Sequence, residues 1–147
     1  KYNLRLHIVD TKDSPEEASR AIESLILKDH VLAIIGGLTS KTASAEATKA
    51  QELGAPFIAL SNKSGLTKLG PFIFRCTVTP KLQVATLVGL AMEKLNAKNF
   101  AILYPNDGFG VEYSNLFWDE VIRRGGRVTT AQTYVPGETD FKTAVKK

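Results

Sequence analysis

The stretch Val31–Ser40, Val-Leu-Ala-Ile-Ile-Gly-Gly-Leu-Thr-Ser, constrains the fold of this 147-residue chain more than any other segment. It begins as an unbroken apolar run, which is typical of a strand buried on both faces of a parallel sheet. Two glycines and two hydroxyl residues follow, and the alanine-rich segment 41–53 then predicts a helix. Unpaired N–H groups at the start of such a helix favour an anion or a carboxylate. The stretch therefore predicts a parallel sheet and the rim at which that sheet would hold a small molecule.

The remaining hydrophobic periodicity predicts strands and helices in alternation along the chain. Further strands are predicted at 4–9, 55–60, 72–75, 99–104 and 128–135. Further helices are predicted after the N-cap signals Ser14-Pro15 and Thr79-Pro80, at 111–124, and from 139 onward. A βαβαβ order followed by αβαβα favours an α/β fold of two Rossmann-like lobes, with parallel sheets and helices on both faces. The predicted boundary near Cys76–Thr79 divides the chain into lobes 1–77 and 78–147.

Composition and charge exclude several classes of function. The chain is 44% hydrophobic and carries a formal net charge of +4, and its basic residues are dispersed rather than gathered into a nucleic-acid-binding stripe. The single cysteine, Cys76, excludes an internal disulfide, and its apolar neighbours predict a buried thiol. The sequence has no metal-ligand spacing and no serine–histidine–acid set. We therefore expect no catalytic residue, no metal and no cofactor.

The segment Gly108-Phe109-Gly110 sits between a predicted strand and a predicted helix, as a dinucleotide-binding loop would. Tyr113 stands where the third glycine of that loop belongs, and the next strand does not end in an acid that could hold a ribose. A nicotinamide-dependent enzyme is therefore disfavoured. The sensor domain of a transcription factor would share the architecture, but the chain shows no pair of DNA-binding helices. A binding module is the favoured class.

Hydroxyl, basic and aromatic residues follow the predicted strands where the strands end. Thr39 and Ser40 lie at one helix start, residues 61–65 follow the next strand, and Phe109 follows a strand in the second half. Ligands of open α/β sheets lie beyond the carboxyl ends of the strands. Ser40 taken alone is typical of a helix N-cap, although capping and ligand binding can coexist at such a position.

The order of several short segments resembles the type I periplasmic solute-binding proteins, most clearly the leucine/isoleucine/valine-binding branch. The resemblance rests first on residues 10–19, 31–40 and 54–61. It continues in register through Phe72–Arg75, Ala101–Gly110 and Thr139–Phe141. The stretch Leu103–Gly110 is also similar to the related domain of lipoproteins that activate penicillin-binding proteins.

The resemblance implies two α/β lobes that close around a ligand by hinge motion. By position, it implies that Ser40 holds a carboxylate, that Lys63 and Gly65 contribute backbone groups, and that Phe109 covers the ligand. Thr39 and Ser61 complete the predicted ligand-binding set. Gly65 replaces a hydroxyl residue and Phe109 replaces a tyrosine of the relatives. Lys63 places a cation beside the expected head group, which would favour an acidic ligand unless it points to solvent.

The function implied by the resemblance is that of the extracytoplasmic receptor of an ABC importer for a branched-chain or related amino acid. Its partners would be that small molecule and a membrane permease, and its location periplasmic or on the cell surface as a lipoprotein. The alternative is a regulatory lipoprotein domain that activates a penicillin-binding protein without a metabolite. Whole relatives are more than twice this size, so we expect a piece of a binding protein, without a first strand and helix. Exposed sheet edges would then allow dimerisation.

Overall fold

The computed structural model describes residues 3–145 and divides the chain into two compact units, Lys1–Thr77 and Val78–Lys147. The first unit contains α1 (Pro15–Leu27), β1 (Ile34–Gly36), α2 (Ser40–Glu52), β2 (Phe57–Ala59), a 3₁₀ turn (Leu66–Lys68) and β3 (Ile73–Arg75). The second contains α3 (Pro80–Lys94), β4 (Asn99–Pro105), α4 (Gly108–Arg123), β5 (Arg127–Tyr134) and α5 (Lys142–Val145).

The first unit is built on a three-stranded parallel sheet in the order β1-β2-β3. The second unit pairs β4 with β5, also in parallel, with a shift in register between Phe100 and Ala101. Parallel neighbours need a crossover connection, which α2 provides between β1 and β2 and α4 between β4 and β5. The predicted α/β fold with parallel sheets is confirmed.

Local sequence signals account for where three of the helices begin. The Ser14 side chain accepts a hydrogen bond from the Glu17 N–H at 3.3 Å, and Pro15 occupies the first helical position of α1. The Thr79 hydroxyl likewise accepts from the Leu82 N–H at 3.2 Å at the start of α3. In α2 the cap is Thr39, whose side chain accepts from the Thr42 N–H.

The core of the first unit combines alanines with larger apolar side chains on one face of the sheet. Ala43, Ala47 and Ala50 of α2 are completely buried against Phe57, which is also completely buried. Ile22 of α1 joins the same cluster. The small side chain of Ala43 lets α2 approach the turn that joins β1 to α2, since a Cβ atom placed on Gly37 would be 2.8 Å from the Ala43 Cα.

The prediction of a strand at 4–9 is wrong. Residues 3–10 form no strand, and the side chains of Leu4, Leu6 and Ile8 are 94%, 85% and 90% exposed. The alternating pattern was apolar enough for a strand, but a strand also needs a neighbour to receive its backbone hydrogen bonds. None of the described strands pairs with this segment.

The prediction of helices on both faces of the sheets is wrong for the described residues, and so is the prediction that β1 is buried on both faces. Ile34 is buried, whereas Ile35, which points to the opposite face, is 67% exposed. Phe74 of β3 is likewise 52% exposed. Both α1 and α2 contribute to the single core cluster on the Ile34 side. The prediction of a buried thiol is also wrong, because Cys76, which follows β3, is exposed.

In the second unit, α3 and α4 likewise contribute to one cluster on one face of the sheet. Its buried members are Val84 and Val88 of α3, Val121 of α4 and Val128 of β5. Aromatic side chains complete the cluster, and the rings of Phe100 and Phe117 meet edge to face at 5.6 Å.

Candidate functional site

The carboxyl ends of β1, β2 and β3 lie at one edge of the first sheet because the three strands are parallel. The Leu60 N–H donates to the Gly36 carbonyl at 2.8 Å, so the segments that leave β1 and β2 start side by side. This edge is therefore where the predicted residues at 39–40 and 61–65 are positioned. It forms the rim of the first unit.

Ser40 is the first residue of α2, and the prediction that it caps this helix is wrong because Thr39 is the N-cap. No described residue bonds to the Ser40 hydroxyl, or to the N–H groups of Ser40 and Lys41. These donors belong to the first turn of a 13-residue helix, whose dipole favours negative charge at that end. The turn thus offers one hydroxyl and two backbone N–H groups to an anion.

The Thr39 hydroxyl is engaged within the protein. It donates to Asp13 Oδ1 at 2.8 Å, while Lys41 Nζ lies 2.8 Å from Asp13 Oδ2. The hydrogen bonds from Lys41 and Thr39 lower the pKa of Asp13 below its usual value. Asp13 therefore braces the start of α2 as a carboxylate, and Thr39 contributes to the frame of the rim.

The loop after β2 is held by side chains from its own residues and from the end of β3. Ser61 is 3% exposed, its hydroxyl accepts from the Lys63 N–H at 3.2 Å, and its carbonyl accepts from the Thr77 hydroxyl at 3.0 Å. Arg75 Nη1 donates to the Lys63 carbonyl at 3.1 Å. Gly65 adopts φ +81°, a conformation that glycine reaches without strain, just before the 3₁₀ turn.

Sequence reasoning missed three residues that shape this rim. Arg75 was predicted only as the end of a strand and Thr77 only as part of the boundary between the lobes, although their side chains hold the loop that contains Lys63. Glu46 was missed within the alanine-rich helix, yet it is 4% exposed and burial raises its pKa to about 7. The available signal was its spacing, since Glu46 lies on the same helical face as Ala43 and Ala50.

Phe109 of the second unit lies in the first turn of α4. The predicted start of this helix at Val111 is wrong, because the Asp107 side chain caps it by accepting from the Gly110 N–H at 2.8 Å. The Phe109 ring is 45% exposed and lies 4.5 Å from the ring of Tyr113, measured between centroids. Phe109 therefore presents a partly exposed aromatic face at the carboxyl end of β4.

An apolar cavity of about 260 Å³ lies within the second unit, next to Phe109. Its apolar lining includes Val84 and Leu87 of α3, Ile102 and Tyr104 of β4, and Phe109 and Phe117 of α4. Ser114, which is 7% exposed, and Gln83 add polar groups. The Tyr113 hydroxyl donates to Gln83 Oε1 at 2.8 Å and ties α4 to α3 beside the cavity. This arrangement suits an apolar group with few polar atoms.

The described residues 3–145 contain no group of three or more histidine, cysteine, aspartate or glutamate side chains placed to hold a metal ion. None of the helices in that range is both long and apolar enough to span a membrane. The described residues offer hydrogen-bond donors at the start of α2 and an apolar surface beside Phe109.

Comparison with known families decides the class of this protein. The model of the family described as periplasmic binding protein matches residues 2–147. The chain belongs to the periplasmic binding protein family. Membership implies an extracytoplasmic location, and it confirms the family resemblance found in the sequence. A search of curated protein sequences finds no significant match.

Solved structures of this family share the fold over almost the whole chain. The leucine-binding protein LivK of Thermotoga maritima is 28% identical with a TM-score of 0.84, and the match covers 93% of this chain and 39% of LivK. The branched-chain amino acid transporter substrate-binding protein LivJ of Streptococcus pneumoniae, in complex with isoleucine, is 28% identical with a TM-score of 0.83. That match covers 94% of this chain and 39% of LivJ. A solute-binding protein of an R. palustris ABC transporter, in complex with 4-hydroxybenzoate, is 27% identical with a TM-score of 0.82. That match covers 90% of this chain and 36% of the R. palustris protein.

The chain thus spans less than two fifths of the length of these three relatives. Their likeness supports a solute-binding role without specifying the solute. The roles of individual residues, namely Thr39, Ser40, Ser61, Lys63, Gly65 and Phe109, stay predictions.

Proposed function

We propose that this chain belongs to the extracytoplasmic receptor of an ABC importer and that its solute is a small carboxylate with an apolar body. A branched-chain or related amino acid is the favoured solute, and an aromatic acid is the next. Such a receptor binds and releases its solute unchanged, so we propose no catalytic step. Its partner would be a membrane permease, and a lipid anchor at the cell surface would be compatible with this role.

The observation that carries the proposal is a match of chemistry. Leucine, isoleucine and 4-hydroxybenzoate, named for the three relatives, all combine one carboxylate with an apolar portion. In this chain the start of α2 offers the Ser40 hydroxyl and the N–H groups of Ser40 and Lys41 to a carboxylate. The second unit offers Phe109 and an apolar cavity. The first unit would contact the head group, and the second would contact the body.

Binding by this mechanism would follow the population-shift principle. A solute that contacts both units stabilises the conformation in which both contacts are made, by as much as its affinity for that conformation exceeds its affinity for the others. Lys63 would add positive charge near the carboxylate.

The test is calorimetric titration with isoleucine, leucine and 4-hydroxybenzoate. Binding is measured for this chain and for a protein that contains it and is as long as the relatives named above. Ser40→Ala should weaken binding of whichever solute binds by about 1–3 kcal/mol, since a hydrogen bond to a charged group is lost. Ser44→Ala is the matched control, because the Ser44 hydroxyl is already bonded to the Ser40 carbonyl at 2.8 Å. Equal affinities for the two variants would contradict the role of Ser40.

The same titrations separate the alternative function. A regulatory lipoprotein domain that activates a penicillin-binding protein would bind none of these solutes, in either form. Tight binding of one of them, sensitive to Ser40→Ala, would exclude that alternative as the main function.

A further inference from the structure

Glu46 is a buried carboxyl group that the proposed function does not use. It lies on α2, is 4% exposed, and its Oε2 atom is fully buried with no hydrogen-bond partner among the described residues. Nearly all buried polar groups in proteins are hydrogen-bonded, so an exception calls for an explanation. An apolar side chain of similar size would fill the same volume without that cost.

The unpaired oxygen lies directly against the turn that leads to Ser40. A Cβ atom placed on Gly36 would be 2.8 Å from Glu46 Oε2, and one placed on Gly37 would be 3.1 Å from it. Gly37 also has φ +66°, and a Cβ there would be 2.9 Å from the Ala43 side chain. Glu46 is therefore in contact with the turn itself, and its side chain would have to shift to admit a Cβ at Gly36, whereas the positive φ and the contact with Ala43 favour glycine at Gly37.

The charged groups of the elements around Glu46 have partners of their own or are exposed. On α2, Lys49 Nζ lies 2.6 Å from Glu52 Oε2, and Lys41 Nζ lies 2.8 Å from Oδ2 of Asp13, in the loop before α1. The charged groups of the other neighbouring elements are Glu16, Glu17, Arg20 and Glu23 of α1, Lys68 of the 3₁₀ turn and Arg75 of β3. The residues that β1 and β2 contribute are apolar.

Burial alone accounts for the electrostatics of this group. It raises the pKa of Glu46 to about 7, and no nearby charge contributes to the rise. The neutral carboxyl is therefore the form that fits the described structure at acidic pH. Above neutral pH an uncompensated negative charge would lie against Gly36 and Gly37, and water would have to enter or the turn would have to move.

We propose that Glu46 is a positioning residue, whose neutral carboxyl supports the Gly36–Ser40 turn in its binding geometry and whose ionisation loosens that turn. The consequence for solute rests on the proposed function, because the turn carries the donors assigned to the carboxylate. Solute affinity would then fall as pH rises through neutrality. The coupling between Glu46 and the turn does not depend on any solute.

The experiment follows the amide signals of Gly36, Gly37, Ser40 and Lys41 by NMR from about pH 5 to about pH 9, without solute. The wild-type signals should move with one shared inflection near neutral pH. Glu46→Gln should remove that inflection and leave the signals close to their acidic positions, and Glu46→Ala should also remove it. Glu52→Gln, an exposed carboxyl on the same helix, should leave the inflection unchanged.

An inflection that survives in both Glu46 variants, or its absence from the wild type, would overturn the proposal. A second arm measures the dissociation constant of isoleucine and of 4-hydroxybenzoate at the two ends of the pH range. The wild type should bind solute about tenfold more weakly at the alkaline end of the range. A tenfold change corresponds to a difference of about one unit between the pKa of Glu46 in the solute-bound protein and in the free protein. Glu46→Gln should bind equally at both ends.

The two arms separate failure of this inference from failure of the proposed function. If neither solute binds at any pH, the proposed function is contradicted, and the amide inflection alone decides the role of Glu46. If a solute binds and its affinity responds to Ser40→Ala but does not change with pH, the proposed function stands and the positioning role is overturned.

Discussion

The two units use the same alternation of strand and helix but pack it differently. In the first, Ala43, Ala47 and Ala50 of α2 are completely buried in a cluster with larger side chains of the sheet such as Phe57. In the second, valines and aromatic rings pack around a cavity of about 260 Å³. The first unit offers hydrogen-bonding groups at the start of α2, and the second offers apolar space beside Phe109. One fold can therefore supply the two kinds of contact that a carboxylate with an apolar body requires.

Two glutamates show the same contrast in electrostatic terms. Glu46 of the first unit is buried without a cation, and burial raises its pKa to about 7. Glu120 of the second unit is bonded by Arg123 and, at 2.7 Å, by Arg124, and these hydrogen bonds lower its pKa to about 2. Burial favours the neutral form of Glu46 below about pH 7, whereas the two arginines favour the charged form of Glu120. Their effects on stability should therefore have opposite dependence on pH.

The largest expected effect that tests this contrast is the contribution of Glu46 to the pH dependence of the free energy of unfolding. Its folded pKa is raised above the unfolded value of 4.5, so the folded state binds the extra proton and stability falls as pH rises from 4.5 to about 7. The loss should reach about 3 kcal/mol, which Glu46→Gln should abolish. The measurement is the free energy of unfolding in urea at a series of pH values.

Glu120→Gln provides the opposite case for the same measurement. The folded pKa of Glu120 is depressed, so its contribution is present above the unfolded value of 4.5 and is lost as pH falls toward about 2. The variant should therefore lose stability at neutral pH and approach the wild type in acid. If Glu46→Gln and Glu120→Gln changed the free energy of unfolding with the same dependence on pH, the contrast between the two glutamates would be contradicted.

A smaller effect should follow from filling the cavity of the second unit. Leu87 lines the cavity and is 58% exposed, so Leu87→Trp should occupy its mouth without disturbing the core. We expect solute affinity to fall by about 1–2 kcal/mol, equivalent to one or two methylene groups no longer buried. Leu90→Trp is the control, because Leu90 lies on the same helix, is 54% exposed and is not part of the lining. Equal affinities in the two variants would mean that the cavity does not contact solute.

The sequence predicted the features that depend on neighbouring residues. Ser14 and Pro15 mark the start of α1 because a cap and its N–H partner lie within three residues. The strand predicted at 4–9 failed because strand formation depends on a partner that no local pattern reveals. Gly108 was placed in a loop because its glycine-rich surroundings concealed the Asp107 cap of α4.

For the candidate site, the pattern located the rim but not the groups that hold it. Ser40 lies at the start of α2, close to where the glycine–hydroxyl sequence placed it. The side-chain bonds of Arg75 and the burial of Glu46 could not be predicted, because both depend on which elements pack together in three dimensions. Spacing within one helix shows a shared face, but it does not show what covers that face.

The most direct test of the central claim removes the carboxylate from the solute rather than a side chain from the protein. Isoleucine and isoleucinol, or 4-hydroxybenzoate and 4-hydroxybenzyl alcohol, differ only at that group. The carboxylate of each pair should bind and produce its largest amide shifts at Ser40 and Lys41, and the alcohol should not bind detectably. Equal binding of acid and alcohol, or an acid that leaves the Ser40 and Lys41 signals unmoved, would contradict the claim that the start of α2 holds the carboxylate.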